Sequence, residues 1–393
     1  MRIICFTTLD DLAPYADDWD RLAAGVPFRG WTWLSLWWRH YGPSDGESAD
    51  ALAVLCAFDD ADALVGIAPW YIEHSVLYGR VLRALGSGEV CSDYLGILCQ
   101  PSFEEDVVEA LAGFLVAQTN SSADDALRWD LLELQGVDGG DCEVAALAAA
   151  LSRGGCSVHH RSRWSCWRLT LPPSWDAYVA GLGRNYRRDL RRLERRYCEV
   201  NRIVLRRAEC LDDLHFAMDL LLDLHQLRRA AKGEPGCFAS SRFTSFYGDV
   251  APELLRRGQL DFCWLELDGK PVAAEYQLAG NGVLYAYQAG VDPEALKHEP
   301  GKLIYLAILQ RAIAQGYREF DFLRGDERYK ARFGAVARPS IELRVVPHRT
   351  AAQMREGLWL AGDHLKQWVR CQFGGRPTDA TKYWHPTPLI PNP

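Results

Sequence analysis

Two periods of apolar residues run through this chain. Alternating or short continuous apolar stretches predict strands at residues 2–7, in ALAVLCAF (51–58), LVGIAPWYI (64–72), VLRALG (81–86), DYLGILC (93–99) and LRWDLLEL (127–134), and across 156–171. Helical spacing predicts helices at about 8–24, 31–41, 103–119 and 143–152. The second half repeats the theme. IVLRRA (203–208) predicts a strand, and 211–230 and 240–257 predict helices. The run 261–290 carries two turn pairs, Asp268-Gly269 and Asn281-Gly282, and reads as a three-strand meander. A helix over 302–316 ends on Gly316, REFDFL (318–323) is a strand, and another lies at 340–346. A final helix starts near 350, before a Pro-rich end that reads as poorly ordered.

Each half therefore reads as helices, then an antiparallel meander, then strand–helix–strand. Such mixing predicts an α+β (mixed α/β) fold. The expected division is 1–164, 165–348, and a C-terminal helix and tail over 349–393.

Composition narrows the classes. The 393 residues are 48% hydrophobic and 24% charged, so a packed core is expected. The net charge of −8 argues against a dedicated DNA binder but leaves room for a local basic patch. Twelve cysteines form no C-x-x-C pair and mostly sit in apolar runs, which fits reduced thiols in the cytoplasm. The histidines lack metal-ligand spacing, so no metal is expected. No signal peptide or spanning segment is read, and the aromatic WTWLSLWWRHYG (31–42) fits an amphipathic helix on a core.

Five polar segments carry candidate chemistry. NYRRDLRRLERRY sits in a run with seven arginines between Arg184 and Arg196, offset by Asp189 and Glu194. Tyr186, Leu190, Leu193 and Tyr197 form one stripe that can pack, leaving a face of local charge +5 that includes Arg187 and Arg188. That surplus points to an anionic partner: CoA phosphates, a tRNA end or an acidic glycan. HEPGKL (298–303) starts a helix with Pro300 at its first turn, and Gly301 and Lys302 beside it suit a phosphate. Glu275, in AAEYQLAG, is either a general base or a cross-strand ion-pair partner. His225 and Arg228 lie shortly before a turn containing Gly233 and read alone as helix-surface residues, and Asp93 with Tyr94 follow a glycine-rich stretch and are equally a turn Asp and a packed Tyr. REFDFLRGDERYKARFGA (318–335) places Asp321, Arg324, Tyr329 and Lys330 around Gly325, either as a self-neutralising helix or as part of a site.

These segments carry a resemblance. NYRRDLRRLERRY, LLDLHQLRRAAKGEPGCF, LDGKPVAAEYQLAG, the run from YAYQAGVDP to LQRAI, and FDFLRGDERYK resemble the GCN5-related N-acetyltransferase (GNAT) superfamily in its CelD-type branch. In the first half PFRGWTWLSLWWRHYG, LVGIAPWYI and SDYLG match as well. The resemblance implies two tandem GNAT-like halves, each a mixed, mostly antiparallel sheet flanked by helices. It implies acyl transfer from acyl-CoA to an amine or hydroxyl of a sugar, peptide or metabolite, as in polysaccharide or cell-envelope biosynthesis. Glu275 would then be the base, Asp321 a carboxylate toward the amine, Lys330 an oxyanion stabiliser and Tyr329 a proton donor to the leaving thiolate. Pro300, Gly301, Lys302 and Arg324 would serve the cofactor. Asp93, Tyr94, Arg187, Arg188, His225 and Arg228 would face the acceptor. The same architecture occurs in FemAB-type ligases, which draw on aminoacyl-tRNA, and YKARFG resembles their F-K-x-x-F-G segment at Lys330. A degenerate, non-catalytic glycan-assembly partner is the third expectation.

Overall fold

The computed structural model describes residues 1–43, 50–119, 126–230, 233 and 236–372. The chain forms two units: residues 1–24, 28–164 and 339–393 make unit 1, and residues 25–27 with 165–338 make unit 2. The divisions fall inside two strands, after Trp164 and after Arg338.

Unit 1 begins with β1 (Arg2–Phe6), α1 (Leu9–Leu12), α2 (Ala16–Leu22) and α3 (Trp31–Tyr41). It continues through β2 (Ala51–Leu52), β3 (Val54–Phe58), β4 (Leu64–Ala68), β5 (Trp70–Ser75), β6 (Gly79–Ala84) and β7 (Leu98–Cys99). Then come α4 (Glu104–Thr119), β8 (Leu131–Asp138), α5 (Cys142–Arg153) and the long β9 (Ser157–Thr170). Unit 2 adds α6 (Trp175–Gly181), α7 (Arg184–Leu193), β10 (Ile203–Arg207), α8 (Leu211–Ala230) and α9 (Ser241–Arg256). After these come β11 (Leu260–Leu267), β12 (Lys270–Gly280), β13 (Val283–Val291), α10 (Pro300–Ala314), β14 (Glu319–Arg324) and α11 (Arg328–Arg332). The chain re-enters unit 1 along β15 (Val336–Val346) and ends its described part in α12 (Thr350–Gln372).

One element order is used twice. In unit 2, β10 and two helices lead to the meander β11–β12–β13; α10 crosses over, and β14 returns parallel to β13. In unit 1, β1 and three helices lead to β3 through β6; α4 crosses over, and β8 returns parallel to β6. There the meander is interrupted at Pro69, which has no N–H for a ladder bond, so β3 and β4 pair with β1 and β7 while β5 and β6 pair with β2 and β8.

Local chemistry explains the elements of unit 2. Asp268, Gly269, Asn281 and Gly282 all take positive φ, the geometry that two-residue hairpin turns require. The Leu190, Leu193 and Tyr197 stripe packs into the unit's core with Leu303, Leu306, Phe320 and Phe322, each such side chain contributing about 1.5–3 kcal/mol. α10 is buried nearly all round, which fixes it on the sheet beneath β11, β12 and β13.

Two expectations differ from the structure. DYLGILC is strand only at Leu98–Cys99, because Tyr94 takes φ +64 and its carbonyl accepts from Arg29 while the Leu95 N–H donates to Gly136. The expected boundaries 165–348 and 349–393 are also displaced. Ile341 to Val345 pair with β8, and α12 is fastened to unit 1 where Arg344 meets Glu356 at 2.8 Å. The Pro-rich end lies outside the described residues. No helix among the described residues is long and apolar enough to cross a membrane.

Candidate active site

The site is built where β13 and β14 part. They pair only over Val283–Tyr285 and Glu319–Asp321, although β13 runs on to Val291 and β14 to Arg324. β13 also carries a bulge. Tyr276 faces Gln288 and Gln277 faces Ala286, so Tyr287 is the extra residue. On its other side, β14 shifts register against β9 between Asp321 and Arg324. Bulges re-aim side chains and end pairing, and they concentrate beside active sites.

A chain of polar groups enters this region. Glu275 on β12 is buried at 2% exposure, and its carboxylate accepts a hydrogen bond from the Tyr305 hydroxyl at 3.1 Å. Tyr305, on α10, stacks its ring on that of Tyr329 at 6.1 Å, and the two phenols are electrostatically coupled. Tyr329, on α11, is 39% exposed. A series of polar groups therefore leads from a solvent-facing phenol, through the stacked Tyr305, to a buried carboxylate. Burial pushes the Tyr305 phenol well above its ordinary range, and the Glu275 charge adds to the effect. Phe320, Phe322 and Phe333 enclose the Tyr305 ring.

Lys330 lies directly behind. Its ammonium donates to the carbonyls of Leu323 (3.1 Å), Arg324 (3.0 Å) and Gly325 (3.0 Å) and pairs with Glu327 at 2.9 Å. Three N–H groups meet three carbonyls, so this 2%-exposed lysine clamps the end of β14. The clamped turn needs holding, since Leu323 takes φ +54. Asp321, also buried, accepts from the Leu323 N–H at 2.8 Å and pairs with Arg168 at 3.0 Å, on the face opposite Phe320 and Phe322. Both carboxylate oxygens are thus engaged away from the tyrosine chain.

The start of α10 is already charged. Glu299 caps it in the left-handed region, with φ +58, just before Pro300. Its carboxylate pairs with Lys302 and, at 2.9 Å, with Arg192 of α7. The Lys302 ammonium, with Arg192 beside it, holds Glu299 below the usual carboxylate range. A Cβ on Gly301 would meet nothing nearer than 3.8 Å, so the first turn is open to an approaching group. Arg184, Arg188 and Arg192 lie at four-residue spacing on α7, one face of which runs to this corner. Arg188 makes no ion pair among the described residues, and Arg187 donates to the Leu182 carbonyl at 2.9 Å.

Other expected site residues are placed elsewhere. Asp93 and Tyr94 belong to unit 1 and are buried there. His225 is buried on α8 against Phe238, with Cys237 at 3.7 Å from its Nε2. The side chain of Arg228 lies outside the described residues. Arg324 stands at the strand end with its carbonyl held by Lys330. Tyr305 and Glu299 escape a sequence reading. Tyr305 sits at core spacing in KLIYLAIL, and Glu299 looks like one more surface charge before a helix. No group of three or more His, Cys, Asp or Glu side chains is placed to hold a metal among the described residues.

Comparison with known proteins bears on this geometry. Residues 184–331 match the acetyltransferase (GNAT) domain family. No curated protein matches the chain. A crystal structure of FemX aligns with 87% of this chain and 97% of that one, at 9% identity and a TM-score of 0.60. A conserved protein of unknown function from Bacteroides thetaiotaomicron aligns with 88% of this chain and 100% of that one, at 13% identity and a TM-score of 0.52. At such identities the likeness is one of fold. The fold is mixed α/β with one order of elements used in both units, and the unit that matches the acetyltransferase domain family is the one that holds the bulge, the strand opening and the tyrosine chain.

Proposed function

We propose that unit 2 transfers an acyl group from an acyl thioester, acyl-CoA, to an amine or hydroxyl of a sugar, peptide or metabolite. The observation that carries this reading is the path Glu275–Tyr305–Tyr329 beside the parting of β13 and β14. The thioester supplies an activated acyl carbon. Its phosphates would be held by Gly301, Lys302 and Arg192, and the acyl end would lie at the Tyr287 bulge. An acceptor ammonium must lose a proton before its nitrogen can attack, and Glu275 is too deeply buried to meet a bulky acceptor. Tyr329 accepts that proton at its phenol oxygen while passing its own to Tyr305, and Tyr305 passes its own to Glu275. The nitrogen then bonds the acyl carbon, the C–S bond breaks, and the departing CoA thiolate takes a proton back from Tyr329 as the relay runs in reverse. No tyrosinate accumulates, which suits a Tyr305 whose ionisation burial disfavours. Lys330 positions Tyr329 by fixing the turn before α11. Cell-envelope polysaccharide assembly and a cytoplasmic site of action fit this chemistry, the latter with eleven free cysteines among the described residues.

Steady-state transfer from acetyl-CoA to an amine panel tests the reading. Tyr305→Phe and Glu275→Gln are each expected to lower kcat by about 10²–10⁴-fold with KM for the thioester little changed. The double variant should lose no more than the worse single one, as residues acting as a unit do. CoA at about 100 times its Kd should also stabilise the fold by about 2.7 kcal/mol. Absence of both heat and stabilisation on CoA titration sinks the acyl-CoA donor.

A second reading has its own observation. Glu299 already occupies Lys302 and Arg192, and the fold is similar to that of FemX, so an aminoacyl donor carried on tRNA and steered by the α7 arginines is the alternative.

A further inference from the structure

The end of the unit 1 sheet where β6 and β8 begin carries a rim that acyl transfer does not use. A three-residue loop, Val76-Leu77-Tyr78, joins β5 to β6. Hairpin tips usually carry Gly, Asn, Asp or Ser, which suit a tight turn in water. Here Tyr78 folds back over the sheet. Its ring lies 5.2 Å from the Arg344 guanidinium and packs against Val81, Leu131, Val346 and Ala352. Val76 and Leu77 stay outside, Val76 fully exposed and Leu77 at 70%.

α12 continues the rim. Ala352, Glu356 and Trp359 face the sheet: Ala352 joins the packed cluster, Glu356 pairs with Arg344, and the Trp359 ring lies 3.9 Å from the Arg344 guanidinium. Met354 and Leu358, four residues apart, lie on the opposite side and are both exposed. The four-three spacing continues in the sequence through Ala361, Leu365 and Trp368. The hairpin tip and this apolar side are neighbours. A Cβ on Gly79 would stand 2.6 Å from Arg355 Nη1, and Arg355 precedes Leu358 by one helical turn.

Cations gather at the same corner. Asp130, just before β8, pairs with Arg349 at 2.9 Å and Arg355 at 3.3 Å and accepts from the Arg80 N–H at 3.0 Å. Arg128 lies two residues before Asp130. Burial pushes the Arg349 guanidinium below its ordinary range, and the charges of Arg128, Arg355 and Arg80 add to the effect against Asp130. Among the described residues, four arginines thus gather around one carboxylate.

Apolar side chains held in water beside surplus arginine are the two elements of an interfacial surface. A second copy of the chain would bring an equal arginine cluster against this one. A soluble anion would leave the apolar side chains wet. We propose that this rim docks unit 1 on an anionic lipid bilayer. Val76, Leu77, Met354 and Leu358 enter the boundary between headgroups and acyl chains, and Arg355 with its neighbouring arginines meets the lipid phosphates. The docking is independent of the donor and acceptor used by unit 2.

Co-sedimentation of the full chain with vesicles decides it. The vesicles are phosphatidylcholine alone and phosphatidylcholine with about 30% phosphatidylglycerol, in about 0.1 M salt. The anionic vesicles are expected to bind at least about ten-fold more tightly, an advantage that about 0.5 M salt removes. Val76→Ser combined with Leu77→Ser, at exposed positions, should weaken binding to the anionic vesicles by about ten-fold with an unchanged melting temperature. Arg355→Gln should weaken it by about five-fold. The proposal falls if no protein sediments with the anionic vesicles at about 1 mM lipid, if both kinds of vesicle bind equally, or if the Val76 and Leu77 double variant binds as the parent does. It falls equally if inorganic phosphate at about 50 mM displaces the protein more than chloride of the same ionic strength, which marks a free-anion site. A dimer by light scattering that Leu358→Ser converts to a monomer would also overturn it, by naming a second copy as the occupant.

Discussion

The two units share an order of elements and differ wherever chemistry requires something of them. In unit 2 the strand before the crossover carries a bulge; in unit 1 the β5–β6 register runs without a break from Trp70–Ala84 to Ser75–Gly79. The middle strand of unit 2 holds buried Glu275, whereas its counterpart in unit 1, broken into β4 and β5, is apolar in β4 and carries in β5 a half-buried Glu73 already paired with Arg83 at 2.7 Å. The crossover helix α10 begins Pro-Gly-Lys, whereas α4 begins Glu-Glu-Asp. Acidic residues suit a helix N-terminus electrostatically but repel any anionic ligand there. A repeated order of elements thus supplies two frames, of which one keeps its ladder unbroken before the crossover and the other is opened.

The comparison is sharpened most by the buried cations. Lys330 in unit 2 and Arg344 in unit 1 are both almost fully buried, and Arg344 pairs with Glu133 at 2.7 Å and Glu356 at 2.8 Å. Lys330→Met and Arg344→Met should each cost about 3–5 kcal/mol by stranding buried partners, read as a lowered melting temperature. At a temperature where both remain folded, only Lys330→Met should depress turnover, because its turn carries Tyr329. Equal turnover losses would mean that unit 1 takes part in the chemistry. A smaller effect is expected at the start of α10. Glu299→Gln releases Lys302 and Arg192, and CoA affinity by calorimetry should rise about three- to ten-fold. A fall in affinity would show that Glu299 belongs to the binding site rather than competing with it.

The smallest effect lies in pH dependence, where two carboxylates at helix starts oppose each other. Asp141 caps α5 in unit 1, accepting from the Val144 N–H at 2.8 Å, and burial pushes it up to about 6 despite Arg29. Its neutral form is favoured by folding, so that contribution is present below the ordinary 3.8 and is lost as pH rises through about 6. Glu299 is lowered by Lys302, so its contribution is present above the ordinary 4.5 and is lost as pH falls through its depressed folded value. Urea midpoints from pH 3 to 7 should therefore show Asp141→Asn flattening a loss of stability on the rise toward pH 6. Glu299→Gln should remove a loss on the acid side. Slopes of the same sign in both variants would contradict this assignment.

Much of the frame was legible because its signals are local. The Asp-Gly and Asn-Gly turns, the apolar stripe of α7 and the Pro-Gly-Lys start of α10 each depend on neighbours a few residues away. The site was legible only in part. Glu275 and Tyr329 stand out as polar groups in suggestive places, but Tyr305, which joins them, has the spacing of an ordinary core aromatic. Lys330 is the clearest limit. The run DERYKAR reads either as a self-neutralising helix or as part of a site with Lys330 at an oxyanion, and the burial of Lys330 against three carbonyls follows from a turn at Leu323 whose positive φ no residue type there announces. The return of β15 to unit 1 was hidden for the same reason, since strand partners far apart in sequence leave no local trace.

That return has a consequence for synthesis. β8 lies between β6 and β15, and Leu132 and Val345, which pair across it, are separated by about two hundred residues. At about 5–20 residues per second, a ribosome completes the intervening unit 2 during an interval of roughly ten to forty seconds. Throughout that interval unit 1 holds an unpaired β8 edge, the kind of surface that templates association with other chains. Unit 2 is an uninterrupted insertion apart from a three-residue segment near the start, and it can close as soon as it emerges. The nascent chain is thus expected to mature from its middle outward, with its first-made half finished last and most dependent on a holding chaperone.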